Sequence, residues 1–198
     1  MTYRRVVEYP TPSLSKKSTT ADNKQHTQVF RDLEDTFNVI GGYGLSAPQI
    51  GFSVRAFVIN ASLLGAGDEK CLLMLNPKIL AGESNSLFEE ACFSVPGLSL
   101  KITRFHKVTV EWESEDGTLK TRDFTGYASA CIQHEIDHLD GVLMLDRISQ
   151  LRKNMILKKI KRNELKKQRV TGPSKEEKSK KKSEATRKRL RSLRKKKK

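Results

Sequence analysis

Apolar residues recur at helical spacing in two stretches of the chain. In residues 21–40 they occupy positions 29, 33, 37 and 40, and the pair Gly41-Gly42 follows. This pattern predicts an amphipathic helix that ends at the glycines. In residues 127–139, Ala128, Cys131 and Ile132 lead into the sequence QHEIDHL, and Asp140-Gly141 follows. The second stretch therefore predicts a helix from Tyr127 to about Leu139.

Other segments have the composition or the alternation of strands. Residues 54–60 (VRAFVIN) and 71–75 (CLLML) are β-rich or apolar, and Val108, Val110 and Trp112 alternate within residues 107–114. The dipeptide Asp116-Gly117 predicts a hairpin turn, with residues 119–124 as the returning strand. Several strands and two main helices predict an α+β domain.

Charge divides the chain into a mildly acidic body and a basic tail. Residues 1–146 contain 14 Lys and Arg against 19 Asp and Glu, whereas residues 147–198 contain 24 against 4. We expect a catalytic domain in residues 1–147, a basic amphipathic helix in 148–171 and a disordered Lys/Arg-rich tail in 172–198.

The sequence contains no signal of membrane insertion or export. It has no apolar run of about 18 residues and no secretory h-region. Its three cysteines are an odd number, so reduced thiols are expected rather than disulfides. We therefore expect a cytoplasmic protein that does not contact a membrane.

The sharpest local motif is His134-Glu135-Ile136-Asp137-His138. On a helix, residues four apart lie on one face, so both imidazoles can reach one metal ion. Glu135 lies beside them, where it can take a proton from a water molecule at the metal. The motif predicts a metal site.

A catalytic metal site usually has a third protein ligand, which the motif does not supply. The candidates are His26, His106, and a cysteine or an acidic residue elsewhere in the chain. A thiolate is the strongest of these ligands. Cys92 lies in EACFSVPG among acidic and turn-forming residues, whereas Cys71 has core neighbours. Cys131, one turn before His134, has two interpretations, a pocket residue or a packed small side chain.

Residues 41–53, GGYGLSAPQIGFS, form a glycine-rich segment. Three glycines in four residues suit a chain that must approach another group closely, and Gln49 offers both a donor and an acceptor. A plain flexible loop is the alternative. Phosphate binding fits poorly, because neither Lys-Ser/Thr nor a helix start follows.

Taken together, three segments resemble the motifs of the peptide deformylase family: GYGLSAPQIG, EACFS and QHEIDHLDG, in that order. The N-terminal segment VVEYPTPSLSKKS is also similar, so the resemblance covers roughly residues 3–165. It implies small mixed or antiparallel β-sheets around a central helix that carries HEIDH. It also implies removal of the formyl group from the N-terminal methionine of newly made polypeptides, with release of formate.

The resemblance further implies roles for individual residues. Cys92, His134 and His138 would hold one divalent metal ion, usually Fe²⁺ and often replaced by Ni²⁺ or Zn²⁺. Glu135 would take a proton from the attacking water, and Gln49 together with the backbone N–H of Phe93 would stabilise the oxyanion. The backbone of Gly44 would align the peptide. The methionine pocket would draw on Tyr43, Tyr127, Ala130 and Cys131.

Four positions depart from the family pattern. Ala91 replaces the glycine that normally precedes the cysteine, and a positive φ there would cost an alanine roughly 1–2 kcal/mol. Tyr43 is bulkier than the usual aliphatic residue and would narrow the pocket. Phe93 replaces a usual Leu or Glu, and Ser46 replaces a common alanine.

The basic tail suits RNA phosphates, and some bacterial deformylases dock on the ribosome through a C-terminal helix. We expect residues 147–198 to contact ribosomal RNA, and the protein to be a monomer of bacterial type. A phage-encoded or organellar origin stays open. Two alternative functions are a catalytically weak relative that binds ribosomes or RNA through its tail, and another HExxH metallohydrolase such as a protease.

Overall fold

The computed structural model describes residues 2–64 and 70–171, with side chains as far as residue 162. The chain divides into two compact units, Met1–Ser149 and Gln150–Lys198. The second unit contains the helix α3, Gln150–Thr171. The tail that we expect to be disordered, residues 172–198, lies outside the described residues. Among those described, none of the helices has the length and apolar character needed to cross a membrane.

The first unit contains a five-stranded antiparallel sheet in the order β1-β2-β3-β4-β5. The strands are Gly44–Ser46, Ala56–Asn60, Cys71–Ala91, Ser99–Glu113 and Leu119–Thr125. The fold is α+β, as the sequence predicts. The predicted strands are present but belong to one continuous sheet. Strand β3 extends past Leu75 to Ala91, and β4 begins at Ser99 rather than at Lys107.

The missed parts of β3 and β4 pair with each other, and β3 is polar over six residues of this pairing. Residues 81–86 are largely exposed on β3 and read AGESNS, a composition without apolar alternation. Backbone pairing such as Asn85 with Phe105 and Ser86 with Arg104 holds this region together. Because pairing between distant strands leaves little trace in such a sequence, periodicity does not reveal it.

The two predicted helices of the first unit are α1, Thr27–Ile40, and α2, Gly126–Leu139. Helix α1 begins six residues later than the start of the predicted helical segment at Ala21. The carboxylate of Asp22 accepts hydrogen bonds from the backbone N–H groups of Lys24 and Gln25, at 2.9 and 2.8 Å. This turn competes with helix formation and delays the helix start.

Strand β2 separates two hydrophobic cores. Ala56 and Val58 pack in one core with side chains of α1, whereas Phe57 and Ile59 pack in the other with side chains of α2. Successive residues of a strand point to opposite faces, so α1 and α2 cover opposite faces of the sheet. Helix α2 is thus buried against the sheet, with its polar motif inside the protein.

The N-terminal segment forms backbone hydrogen bonds with two turns, one after β1 and one after β3. The N–H of Val7 donates to the carbonyl of Gln49 at 2.7 Å, and the N–H of Tyr9 donates to the carbonyl of Ser94 at 2.8 Å. One extended segment therefore ties the turn after β1 to the turn after β3.

Candidate metal and catalytic site

Three donor side chains meet inside the first unit. Helix α2 places the rings of His134 and His138 4.9 Å apart, centroid to centroid. Cys92, in the loop after β3, lies with its Sγ 3.2 Å from Nε2 of His138. All three side chains are buried, and one donor atom from each lies within 4.8 Å of the others. Among the described residues, this is the group of histidines, cysteines and acids arranged to hold a metal ion, and neither His26 nor His106 belongs to it.

This donor set fits a divalent transition metal. A thiolate with two imidazoles is a ligand combination that Zn²⁺ and Fe²⁺ accept. Burial and the neighbouring charges of His134 and Arg104 hold the pKa of His138 well below its usual range. A neutral imidazole is the form that binds a metal, so His138 is already in its ligand form. Burial also lowers the pKa of His134, but hydrogen bonds to Cys92 and Glu90 outweigh burial and hold this pKa well above its usual range, so this ring has to lose a proton when a metal binds.

The carboxylate of Glu90 orients His134. The Nδ1–H of His134 donates to Oε2 of Glu90 at 2.8 Å, which leaves Nε2 for a metal. Arg104 donates to both oxygens of Glu90, from Nε at 2.7 Å and from Nη2 at 3.0 Å. Burial raises the pKa of Glu90, but its hydrogen bonds to His134 and Arg104 outweigh burial and lower it to about 2. Glu90 is therefore a carboxylate at neutral pH.

The ion pairs continue from Arg104 along α2. Nη1 of Arg104 donates to Oδ2 of Asp137 at 2.6 Å, and Asp137 also pairs with Arg147 just after the helix. Arg104 and Asp137 are buried, so each charge depends on the other for compensation. The network holds α2 against β3 and β4 directly behind His134.

Glu135 is 97% buried and faces the backbone of Gly44. A Cβ at position 44 would lie 2.6 Å from Oε1 of Glu135 and 3.0 Å from Sγ of Cys131. Only glycine leaves room for the carboxyl group in this position. Burial raises the pKa of Glu135 to about 7, which suits a group that exchanges protons near neutral pH.

Gln49 lies opposite Glu135 and reaches the cysteine loop. Its Nε2 lies 3.5 Å from Sγ of Cys92 and 3.4 Å from Oγ of Ser94, and its Oε1 accepts hydrogen bonds from Ser46. Among the hydrogen bonds of the described residues, none uses the backbone N–H of Phe93 as donor. The side-chain amide and this backbone N–H are thus two donors that lie beside Cys92.

A cavity of about 640 Å³ opens onto these groups. Gln49, Cys92, His134 and Glu135 line it, whereas His138 lies behind them. All the residues predicted to bind substrate also line it: Tyr43, Gly44, Phe93, Tyr127, Ala130 and Cys131.

The two tyrosines of the cavity lie at its mouth. The side chains of Tyr43 and Tyr127 are 65% and 59% exposed, so they border the opening rather than fill the interior. Ala130 and Cys131 lie deeper, on α2. Burial raises the pKa of the Cys131 thiol well above its usual range, so this sulfur is an apolar wall rather than a nucleophile.

Ala91 is free of the strain that a positive φ would impose. The non-glycine residues with positive φ in the described chain are Asn76 and Ser84. Ala91 is the last residue of β3, an extended position that any residue adopts. The replacement of the family's glycine therefore does not tilt Cys92 through the backbone.

Four further residues belong to the site, although the sequence patterns did not identify them: Glu90, Arg104, Asp137 and Ser46. Glu90 and Arg104 occupy inward positions of alternating strands, flanked two residues away by the buried Phe88 and Ile102. A charged residue on an apolar face is a readable signal of a buried ion pair. The sequence pattern did not reveal this ion pair, because the predicted strands end before Glu90 and begin after Arg104. No sequence pattern indicates that the hydroxyl of Ser46 contacts Gln49.

Comparisons with known proteins agree with this geometry. The family model described as polypeptide deformylase matches residues 3–154. A peptide deformylase from Acidobacterium capsulatum is 38% identical over 164 residues, which cover 82% of this chain and 96% of the relative.

Two solved structures are also similar. A peptide deformylase from Legionella pneumophila superimposes with a TM-score of 0.74 at 32% identity, covering 86% of this chain and 99% of that chain. A class I type b peptide deformylase from Acinetobacter baumannii bound to Met-Ala-Ser superimposes with a TM-score of 0.66 at 26% identity, covering 74% and 98%. The family model spans most of the chain, and the relatives match it over nearly their whole length. The chain belongs to the peptide deformylase family.

Proposed function

We propose that this chain is a metal-dependent hydrolase that removes the N-formyl group from the N-terminal methionine of new polypeptides and releases formate. The observation that carries the proposal is the grouping of Cys92, His134 and His138 at a cavity, with Glu135 beside them. The protease alternative has no use for Cys92, and no feature of the described residues favours it.

Cys92, His134 and His138 are the proposed metal ligands, and Fe²⁺ is the proposed metal, with Ni²⁺ and Zn²⁺ as substitutes. A divalent ion bound there supplies Lewis acidity, which makes water acidic and polarises a carbonyl group. Glu90 keeps the ring of His134 oriented for this task, with Arg104 behind it. Metal analysis of protein purified without oxygen tests the identity of the ion.

Glu135 is the proposed proton carrier. It takes a proton from the water that adds to the formyl carbon, and it gives that proton to the leaving nitrogen when the C–N bond breaks. Its buried position and a pKa near 7 suit both steps. Formate and a free amino terminus are the products, so atoms balance with one water consumed.

Gln49 and Phe93 are the proposed donors to the oxyanion. Nε2 of Gln49 already points at the Cys92–Ser94 turn, and the Phe93 N–H makes no hydrogen bond to a described residue. Donors that are fixed before the reaction stabilise developing charge without reorganisation.

Strand β1 is the proposed docking edge for the peptide. Gly44 pairs with Ile59 of β2 on one side only, because β1 is the edge strand of the sheet. A peptide added there would run past the cavity as an extra strand. That a relative from Acinetobacter baumannii binds Met-Ala-Ser supports a peptide that begins with methionine as the ligand. Ala130 and Cys131 are the proposed floor of the methionine pocket, with Tyr43 and Tyr127 at its entrance.

The test is formate release from a formyl-Met-Ala-Ser peptide by the metal-loaded protein. We expect Glu135→Gln to reduce kcat roughly 10²–10⁴-fold, because this variant keeps the shape of the side chain and removes its proton affinity. Glu115→Gln, at an exposed hairpin position, is the matched control and should retain full activity. Equal rates for Glu135→Gln and Glu115→Gln would contradict the proposed function.

A contact between residues 147–198 and ribosomal RNA is the proposed role of the basic segment. Helix α3 contains nine Lys and Arg against a single Glu. Such a helix binds phosphates by releasing counterions, so its binding weakens steeply with salt. Removal of Gln150–Lys198, the second compact unit, should abolish ribosome pelleting at moderate salt and leave hydrolysis of a short peptide unchanged. Unchanged pelleting of this shortened chain would reject the RNA contact but not the enzymatic proposal.

We also propose a monomer in a bacterial-type cytoplasm. Light scattering during gel filtration tests the first point, and fractionation of the source cells tests the second.

A further inference from the structure

Ser46, the last residue of β1, is completely buried and contacts the side chain of Gln49, which has a proposed chemical role. Its backbone N–H and its hydroxyl both donate to Oε1 of Gln49, each at 2.9 Å. The sequence alone marks this position only as a departure from the family's common alanine.

The two hydrogen bonds from Ser46 settle which way the Gln49 amide faces. A carboxamide has one acceptor and one donor end of nearly equal size, so it can lie in two orientations. With Oε1 held by two donors of Ser46, Nε2 faces Cys92 and Ser94. In the flipped orientation the NH₂ group would face two donors of Ser46, and a carbonyl oxygen would face the place where negative charge develops.

An alanine at position 46 would retain only the backbone N–H for this purpose. In the buried pocket of Gln49, which is 1% exposed, no bulk water replaces the lost hydroxyl. The orientation of the amide would then depend on a single hydrogen bond.

We propose that Ser46 is a positioning residue for the reaction, whose hydroxyl locks the amide of Gln49 with its N–H toward the oxyanion. This inference rests on the proposed function for its kinetic consequence, but its structural consequence is independent of activity. Ser46 acts through Gln49 and is not itself a catalytic residue.

The kinetic test is a double-mutant cycle in the metal-loaded full chain, with Ser46→Ala, Gln49→Ala and the double variant. One buried hydrogen bond corresponds to about a 3- to 10-fold effect on rate. We expect Ser46→Ala to lower kcat by about that factor and to leave KM within about twofold. In the Gln49→Ala background the same change should alter kcat by less than about twofold, since residues that act as a unit are not additive. Equal effects in both backgrounds would overturn the proposal.

The second readout is the NMR spectrum of the Gln49 carboxamide, assigned by its disappearance in Gln49→Ala. We expect the two Nε2 proton resonances to lie well apart in the unmodified protein and to move toward each other, or to exchange faster with solvent, in Ser46→Ala. An unchanged carboxamide signal would contradict the proposal even if kcat fell. If the two Gln49 resonances lie well apart but the protein releases no formate, the positioning role of Ser46 is supported and the proposed function is rejected.

Discussion

Glu90 and His134 are joined by a 2.8 Å hydrogen bond between two buried side chains from different elements, β3 and α2. This bond, backed by the bidentate contact of Arg104, fixes the ring of a proposed metal ligand before any metal arrives. The ligand set is therefore pre-oriented by the fold, and its dependence on Glu90 can be measured.

Replacing Glu90 by Gln should weaken metal retention. The variant loses the negative charge that orients His134 and compensates Arg104, and loss of such a partner typically lowers metal affinity roughly 10- to 100-fold. Competition with a chelator measures the change. Glu89→Gln, one residue away on the exposed face of the same strand, is the control and should retain metal like the unmodified protein. Equal retention by the two variants would contradict the role of Glu90.

Replacing Gly44 by Ala should lower kcat strongly and leave the stability of the fold nearly unchanged. The new Cβ would lie 2.6 Å from Oε1 of Glu135, so the carboxyl group has to move. A misplacement of about 1 Å costs on the order of 100-fold in rate. We expect that loss in kcat with cooperative thermal unfolding preserved. A variant with normal kcat would show that Glu135 need not lie against this backbone.

Replacing Ala91 by Gly should be nearly silent for activity. Because φ at this position is not positive, the glycine of the family pattern relieves no strain here. We expect kcat/KM for the formylated peptide to stay within about threefold of the unmodified value. A large gain in activity would mean that Ala91 distorts the cysteine loop after all.

Replacing Asp137 by Asn should destabilise the first unit strongly. The change leaves the buried guanidinium of Arg104 with one charged partner fewer, and breaking a buried pair costs about 3–5 kcal/mol. Asp140→Asn, directly after the same helix, breaks an ion pair with Arg55 at a 40% exposed side chain and should cost less than about 1 kcal/mol. Denaturant unfolding measures the free energy of unfolding of both variants. Similar losses of stability in the two would contradict the importance of the buried network.

The sequence was informative wherever a motif was local. His134, Glu135 and His138 share one helix, so their spacing alone places them together. Cys92 and Gln49 come from other elements. The need for a third ligand made Cys92 a candidate, but only the family resemblance connected Gln49 to the histidines. Arg104 and Glu90 could not be paired in advance, because their contact depends on the register between two long strands that the alternation pattern did not reach. The role of Ser46 depends on the direction of one amide, which no sequence pattern encodes.

The proposed deformylase activity depends on one divalent metal held by Cys92, His134 and His138. The most direct measurement is formate release while Fe²⁺ or Ni²⁺ is added stepwise to metal-free protein. We expect a rate that rises linearly and levels off at about one ion per chain, and no rise for Cys92→Ala. Formate release without metal, or an undiminished response of Cys92→Ala, would contradict this proposal.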